Sequence, residues 1–327
     1  MNRATALSLL AFCSTAVFAH HGNSEYDLGT TVQYQGTVVD FLWRNPHILA
    51  KVATHTPDGE AITLEIEGAS PSVLRTGGFS SASLTIGEQV TAVVSPSRRS
   101  PKESAYGYEI VKADGSTVPL VSARLKAQLT NQTTTDIVGT WVATAASFGQ
   151  FTRSLGSWPL NEKASAIRSK FTLADSGQVK CLPVSAPMLT MYPVVMVLER
   201  SSDHVDIKSE WLGAQRIVYT DGRMHPALDE RFPQGHSIGH WEGAELVVDT
   251  TNFTDQETGG IPSGGQRHLT ERFTLGEDGK SMRYSYVLQD AEFLAGEVTG
   301  GAELNYRPDL QLASVECDQE LAKRFLR

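Results

Sequence analysis

Several residue sets in this sequence have types and spacings suited to chemistry. His236, Ile238 and His240 lie two apart, so in a strand both imidazoles share a face. Further along, Val247 and Asp249 share a face opposite Leu246 and Val248. A hairpin through Glu242-Gly243 would bring His240 near Asp249 or its neighbours. A histidine oriented by a carboxylate is a general-base unit, because the carboxylate fixes the tautomer and supports the imidazolium. His236 with Glu271 is the alternative pair. Glu271 with Arg272, and Arg216 with Asp221 and Arg223, would add buried pairs, and Arg216 or Arg272 would stabilise developing negative charge. The competing reading makes these strand-end charges rim salt bridges and His236 a turn residue.

A second set depends on processing. Arg3 is followed by an uncharged, mostly apolar run from Ala4 to Phe18, and Val17-Phe18-Ala19 fits a signal-peptidase site. Residues 1–19 therefore read as a cleaved secretory signal, with a periplasmic or secreted destination. Cleavage would expose the α-amine of His20, whose pKa near about 8 lets it yield its proton to a metal. That amine, the His20 imidazole and a second imidazole from His21, His47 or His55 would make a T-shaped site suited to copper. In this one feature the terminus resembles the histidine brace of copper oxygenases and periplasmic copper carriers. The plainer reading is that His47 packs beside Trp43. Cys13 would leave with the signal, so Cys181 and Cys317 would remain in an oxidising compartment and pair.

The elements that must carry these groups read as strands. In the first hundred residues after the signal, Val32, Tyr34 and Val38 alternate around Gly36, where a bulge is expected. Ile62, Leu64 and Ile66 alternate with polar neighbours, as do Val90, Ala92 and Val94. Asp58-Gly59 and Asp114-Gly115 mark turns. The expected fold class is all-β, with two β-barrel-like domains. The first, 20–121, is small and OB-like. Residues 122–136 form a polar linker, with a short helix expected over 121–129. The second domain, 137–327, is a larger antiparallel, lipocalin-like barrel opening on Gly139-Thr140-Trp141. Asn161 caps a helix from Glu162 to about Lys170. Strands are expected over 194–199, 204–211, 215–220, 245–250, 268–275 and 282–289.

The sequence of 327 residues carries 28 Lys and Arg against 37 Asp and Glu, a net charge of −9. That balance, with only Arg98-Arg99 as a basic hint, argues against nucleic acid as a partner. No run of about 18 apolar residues predicts an integral membrane segment after processing. Gly-x-Ser-x-Gly, Walker and dinucleotide-binding patterns do not occur.

Two stretches carry a resemblance. His20-His21-Gly22, Gly36-Thr37-Val38, Trp43, Asn45-Pro46-His47, Glu67 and Ser70-Pro71 resemble an exported bacterial module of unknown function. The stretch from Cys181-Leu182-Pro183 through Arg216–Arg223, Gly235–Gly243, Leu246–Phe253 and Thr270–Phe273 is similar to a family of secreted bacterial proteins of unassigned activity. Phe79 and Ala244 depart from the family pattern, which usually has Trp and an acidic residue there. The resemblance implies export and β architecture and names no substrate.

The leading expectation is an exported enzyme doing cofactor-independent acid–base chemistry, of isomerase, lyase, cyclase or hydratase type. It would act on a small, partly apolar molecule inside the second barrel, with His240 or His236 as base and Asp249 orienting it. The rival is a periplasmic carrier of an apolar ligand or of copper; the third reading is a structural envelope protein. Convergent His, Asp and Arg inside the barrel would favour catalysis, an apolar interior a carrier, and a solid plug of side chains a structural role.

Overall fold

A computed structural model describes residues 25–126, 129–314 and 316–324. The expected signal, His20 and His21 lie outside the described residues.

The first barrel is built from β1 (Val32–Leu42), β2 (Leu49–His55), β3 (Ala61–Glu67), α1 (Pro71–Arg75), β4 (Gln89–Pro96), β5 (Ser104–Lys112) and β6 (Thr117–Pro119). Strands β1, β2 and β3 form a meander, β4 joins β1 to β5, and a parallel β3–β5 pairing closes five strands into a barrel, with β6 on the far edge of β5. The period-2 pattern sends Leu64 and Ile66 of β3 inward to meet Val38, Val52, Ala92, Val94 and Ile110, all fully buried. Each Leu, Ile or Val among them contributes about 1.5–3 kcal/mol on leaving water. The expected bulge is displaced: the register slips between Val38 and Asp40, not at Gly36. Gly36 serves close approach instead, since a Cβ there would lie 2.2 Å from the Ala53 carbonyl oxygen.

The second barrel begins with β7 (Gly139–Ala143). After α2 (Ala145–Ser154), α3 (Glu162–Arg168) and α4 (Met188–Met191) come β8 (Val195–Arg200), β9 (His204–Ser209), β10 (Gln215–Tyr219), β11 (His236–Glu242) and β12 (Glu245–Thr251). A small hairpin of β13 (Gln256–Thr258) and β14 (Ile261–Ser263) precedes β15 (Arg267–Leu275), β16 (Ser281–Asp290) and β17 (Val298–Tyr306). β17 pairs with β7 and closes a barrel of nine strands. Every junction is antiparallel except β10–β11, which is parallel. Residues 220–235 cause this difference from a pure meander, because they carry the chain back before β11 starts. Nine strands also exceed the eight of an up-and-down lipocalin barrel. Trp141 is fully buried on the entry strand, its indole N–H donating to the Ile137 carbonyl at 2.8 Å.

Asn161 caps α3 by accepting the Ala164 amide at 2.9 Å. Of the helix expected over 121–129, the described residues show a single 3-10 turn, Ser122–Arg124, and Leu125 beyond it packs against the cores of both barrels. Leu125 thus anchors this end of the linker, whereas Leu129 and residues 131–133 are exposed. Short α1 is a second joint: Leu74 enters the first core and Val73 the second. Ser70 caps this turn, its hydroxyl accepting the Val73 amide at 3.3 Å, and Pro71 supplies a preset first residue. Arg75 pairs with buried Glu210, and Arg307 donates to the Thr76 carbonyl at 2.9 Å.

The expected disulfide is present, with Cys181 and Cys317 at a Cα–Cα distance of 6.0 Å and 136 positions apart in sequence. A loop that long constrains the unfolded chain by about 5 kcal/mol on chain-entropy grounds. Beside Cys317 the chain bonds the first barrel: the Asn45 amide donates to the Glu316 carbonyl, and the Asp318 amide to the Asn45 carbonyl, each at 2.8 Å. The final helix α5 (Gln319–Arg324) follows, with Leu321 and Ala322 buried. Among the described residues no helix is long and apolar enough to cross a membrane.

Candidate functional site

Strand parity divides the expected site residues between the two sides of the second barrel's wall. Arg216 of β10, Ser237 of β11, Thr250 of β12 and Glu271 of β15 all point inward and are buried. Arg216 Nε donates to Ser237 Oγ at 2.9 Å, Nη1 to Glu271 Oε1 at 3.0 Å and Nη2 to Thr250 Oγ1 at 2.7 Å. The Tyr284 hydroxyl donates to Glu271 Oε1 at 2.8 Å. Burial works against the Arg216 charge, yet Glu271 outweighs it and the guanidinium is held above its ordinary range. Burial raises the Tyr284 phenol well above its usual range, with the Glu271 charge adding to it. These groups satisfy one another among Phe273, Leu269, Val248 and Leu246, as an internal brace.

His236, Ile238 and His240 do share a face, as do Val247 and Asp249, but it is the outer one. The expected His240–Asp249 pair does not form. Asp249 stands opposite Ile238 and His240 opposite Val247, and the His240 ring bonds Glu242 at 3.1 Å at an exposed rim. The alternative pair is also separated: His236 lies outside the wall and Glu271 inside. Arg272 faces outward too, joining Glu242 at 2.8 Å and Glu245 in a rim cluster.

Asp249 instead accepts from two histidines that the sequence reading did not single out. His225 Nε2 donates to Asp249 Oδ1 at 2.9 Å, and His268 Nε2 donates to Oδ2 at 2.5 Å. His236 completes the set, its Nδ1 lying 2.9 Å from His225 Nδ1. One tautomer set that satisfies this network has His225 giving its Nε2 proton to Asp249 and accepting at Nδ1 from His236 Nδ1. The basic lone pairs are then Nε2 of His236 and Nδ1 of His268. Burial, then the neighbouring His225 and Arg223, lower the affinity of His236 for a proton below the usual histidine range. A base that stays neutral near physiological pH is what proton abstraction needs.

The loop bearing His225 is held firmly. Asn252, buried and in the left-handed region at φ 58°, donates from Nδ2 to the carbonyls of Ala227 and Glu230, both at 2.8 Å. The Phe232 amide donates to the Asn252 carbonyl at 2.8 Å. Arg223 lies 3.7 Å from the Tyr219 ring centroid and chelates Asp221, drawing that carboxyl down to about 2. Tyr219 stacks on His236 with centroids 5.3 Å apart, and the Phe232 ring lies 6.1 Å away. The same loop exposes Met224, Leu228 and Phe232, the first two at 86% and 71%. The polar histidine cluster thus adjoins apolar surface. His225 could have been found from its place two residues after the Asp-Gly-Arg turn, and His268 from its alternation with Thr270 and Arg272.

In the first barrel, His47 Nδ1 donates to the Gly68 carbonyl at 2.8 Å and lies 3.3 Å from Glu67 Oε1. Glu67 also accepts the Tyr26 hydroxyl at 2.7 Å. Burial raises the Glu67 carboxyl, against the pull of His47 and Tyr26. Glu67 lines a polar cleft of about 870 Å³ with Tyr26, Lys51, Glu65, Arg99 and, from α5, Glu320. Among the described residues no group of three or more His, Cys, Asp or Glu is arranged to hold a metal ion.

Residues 8–105 match the model of a family of unknown function, DUF6152, which agrees with the uncharacterised module read from the first stretch. No curated protein matches the chain.

Proposed function

We propose that this chain is an exported enzyme of isomerase or lyase type, doing acid–base chemistry without a cofactor at the outer-wall cluster. The carrying observation is Asp249 accepting from two imidazoles while a third imidazole bonds one of them. A carboxylate so placed fixes ring orientation and stabilises whichever imidazolium forms. His236 Nε2 or His268 Nδ1 takes a proton from the substrate carbon, and the imidazolium so formed, stabilised through Asp249, returns that proton to the substrate at its new position. Met224, Leu228, Phe232 and Tyr219 give a small, partly apolar substrate its surface. The substrate sits outside the barrel wall, because the interior polar groups are consumed by their own brace. The disulfide and the signal-like residues 1–19 support the periplasm or exterior as location. The test is proton exchange: small apolar carbonyl compounds are incubated with the protein in deuterated buffer, and loss of carbon-bound protons is followed by NMR. Exchange by the wild type, lost in His225→Ala and His268→Ala variants that remain folded, is expected. Equal exchange in all three proteins, or none by the wild type, overturns the reading.

A second reading concerns the first barrel, as a copper carrier. Its support is His47, whose ring is oriented by the Gly68 carbonyl and by Glu67, as outer partners orient metal-ligating histidines. Protein beginning at His20 should then bind copper more tightly than protein retaining residues before it. Equal affinity removes the role of the α-amine.

A further inference from the structure

Where β15 starts, three segments bring buried polar atoms together with no protein partner among the described residues. They are Trp158 Nε1, just ahead of α3, Ser263 Oγ at the end of β14, and Arg267 Nε at the start of β15. All three residues, with Asp290, line one small cavity of about 10 Å³. Arg267 and Asp290 are held in place by other contacts. Arg267 Nη1 donates to Ser185 Oγ at 2.8 Å, and its guanidinium lies 4.2 Å from the Phe253 ring centroid. Asp290 accepts the amides of Gly264 and Glu292 at 3.0 and 3.1 Å. A buried polar atom left without a partner has lost its water bonds with nothing in exchange, so three at one cavity call for an occupant.

We infer that this cavity is a binding site for a single water molecule, which links Arg267 to Asp290 and satisfies Trp158 and Ser263. Size sets the class: a cavity of about 10 Å³ by this measure admits one water-sized species. Charge separates water from a halide. Arg267 and Asp290 already balance, so an added anion would be an uncompensated buried charge beside a carboxylate. Water can accept the Arg267 and Trp158 N–H groups and donate to Asp290 and Ser263, a complete set of four. Burial, opposed by Asp290 and Glu271, draws the Arg267 guanidinium down to about 10, consistent with a cation whose partner acts at a distance. The site joins the β13–β14 hairpin to the ends of β15 and β16, and Arg267 is the residue before His268.

The test is a high-resolution crystal structure of the wild-type chain and of Trp158→Phe, each also soaked in bromide. Expected is one fully occupied solvent peak within hydrogen-bond reach of Arg267 Nε and Asp290 in both proteins, with no anomalous bromide signal. A bromide peak there, an empty cavity, or a direct Arg267–Asp290 contact overturns the inference. If Trp158→Phe does not fold, Ser263→Ala is read by the same outcomes.

Discussion

The two sides of one wall of the second barrel hold similar polar residues and do different things with them. Inside, Arg216, Ser237, Thr250 and Glu271 are buried, and their bonds close on one another. Outside, His225, His236, Asp249 and His268 are also mutually bonded, but Asp249 and His268 keep 38% and 41% of their side-chain surface accessible. The neighbours Thr250 and Asp249, or Glu271 and Arg272, fall on opposite sides because a strand alternates. Convergence of polar groups is therefore not enough to mark a reactive site. The bonds inside leave nothing for a substrate, whereas those outside leave two imidazole lone pairs and an accessible face.

The largest expected effect lies inside. Glu271→Ala strands the Arg216 cation, and breaking such a pair costs about 3–5 kcal/mol. Urea unfolding should show that loss, with any remaining activity tracking the folded fraction. A loss under about 1 kcal/mol would mean that the brace is not structural. Outside, the effects should invert. Asp249→Asn should slow turnover by about 10²–10⁴-fold, the usual worth of a positioned acid–base group. Its stability should stay within about 0.5 kcal/mol, as for a surface change. A matching fall in melting temperature would erase the contrast between the two faces.

A gentler probe is pH. Since the proton affinity of His236 is lowered, the unfolded chain binds more protons than the folded one just below the ordinary midpoint of 6.5. The His236 contribution is therefore fully present above that midpoint and is lost as pH falls through the lowered folded value. NMR titration should place the His236 midpoint below 6.5; a midpoint above it would break the neutral-base assignment. Smallest of all, His240→Ala removes only a rim bond to Glu242 and should change both rate and stability negligibly. A large rate loss would return His240 to the site.

The alternation that produced this division was legible in part. The pattern at Leu246, Val248 and Asp249 correctly put Asp249 opposite the two aliphatics, and His236 with His240 on one face. It could not say which face was inside, because both sides of β11 and β12 carry polar groups. Ser237 and Thr250 look no more buried in sequence than His236 and Asp249. Their burial is decided by Arg216, 21 and 34 positions away along the chain. His225 escaped notice because it lies in no strand; it reaches Asp249 only through a loop folded over Asn252. The closed first barrel and the disulfide were more readable, since short alternation and a lone cysteine pair depend little on distant context. The parallel β10–β11 junction was not, because no local pattern records the direction in which a long loop returns.

The clasp at Cys317 changes what the two barrels are to each other. The chain leaves the first barrel through the linker beyond Pro119, traverses the whole second barrel, and then touches the first again at Asn45. With the Cys181 bond closing the circuit, the barrels are fastened at separated points, like a door hung on a hinge and held by a bolt. The outer-wall histidines and the cleft under α5 thus sit on barrels joined at more than one place, so parting the barrels would take the loss of several contacts and not of one.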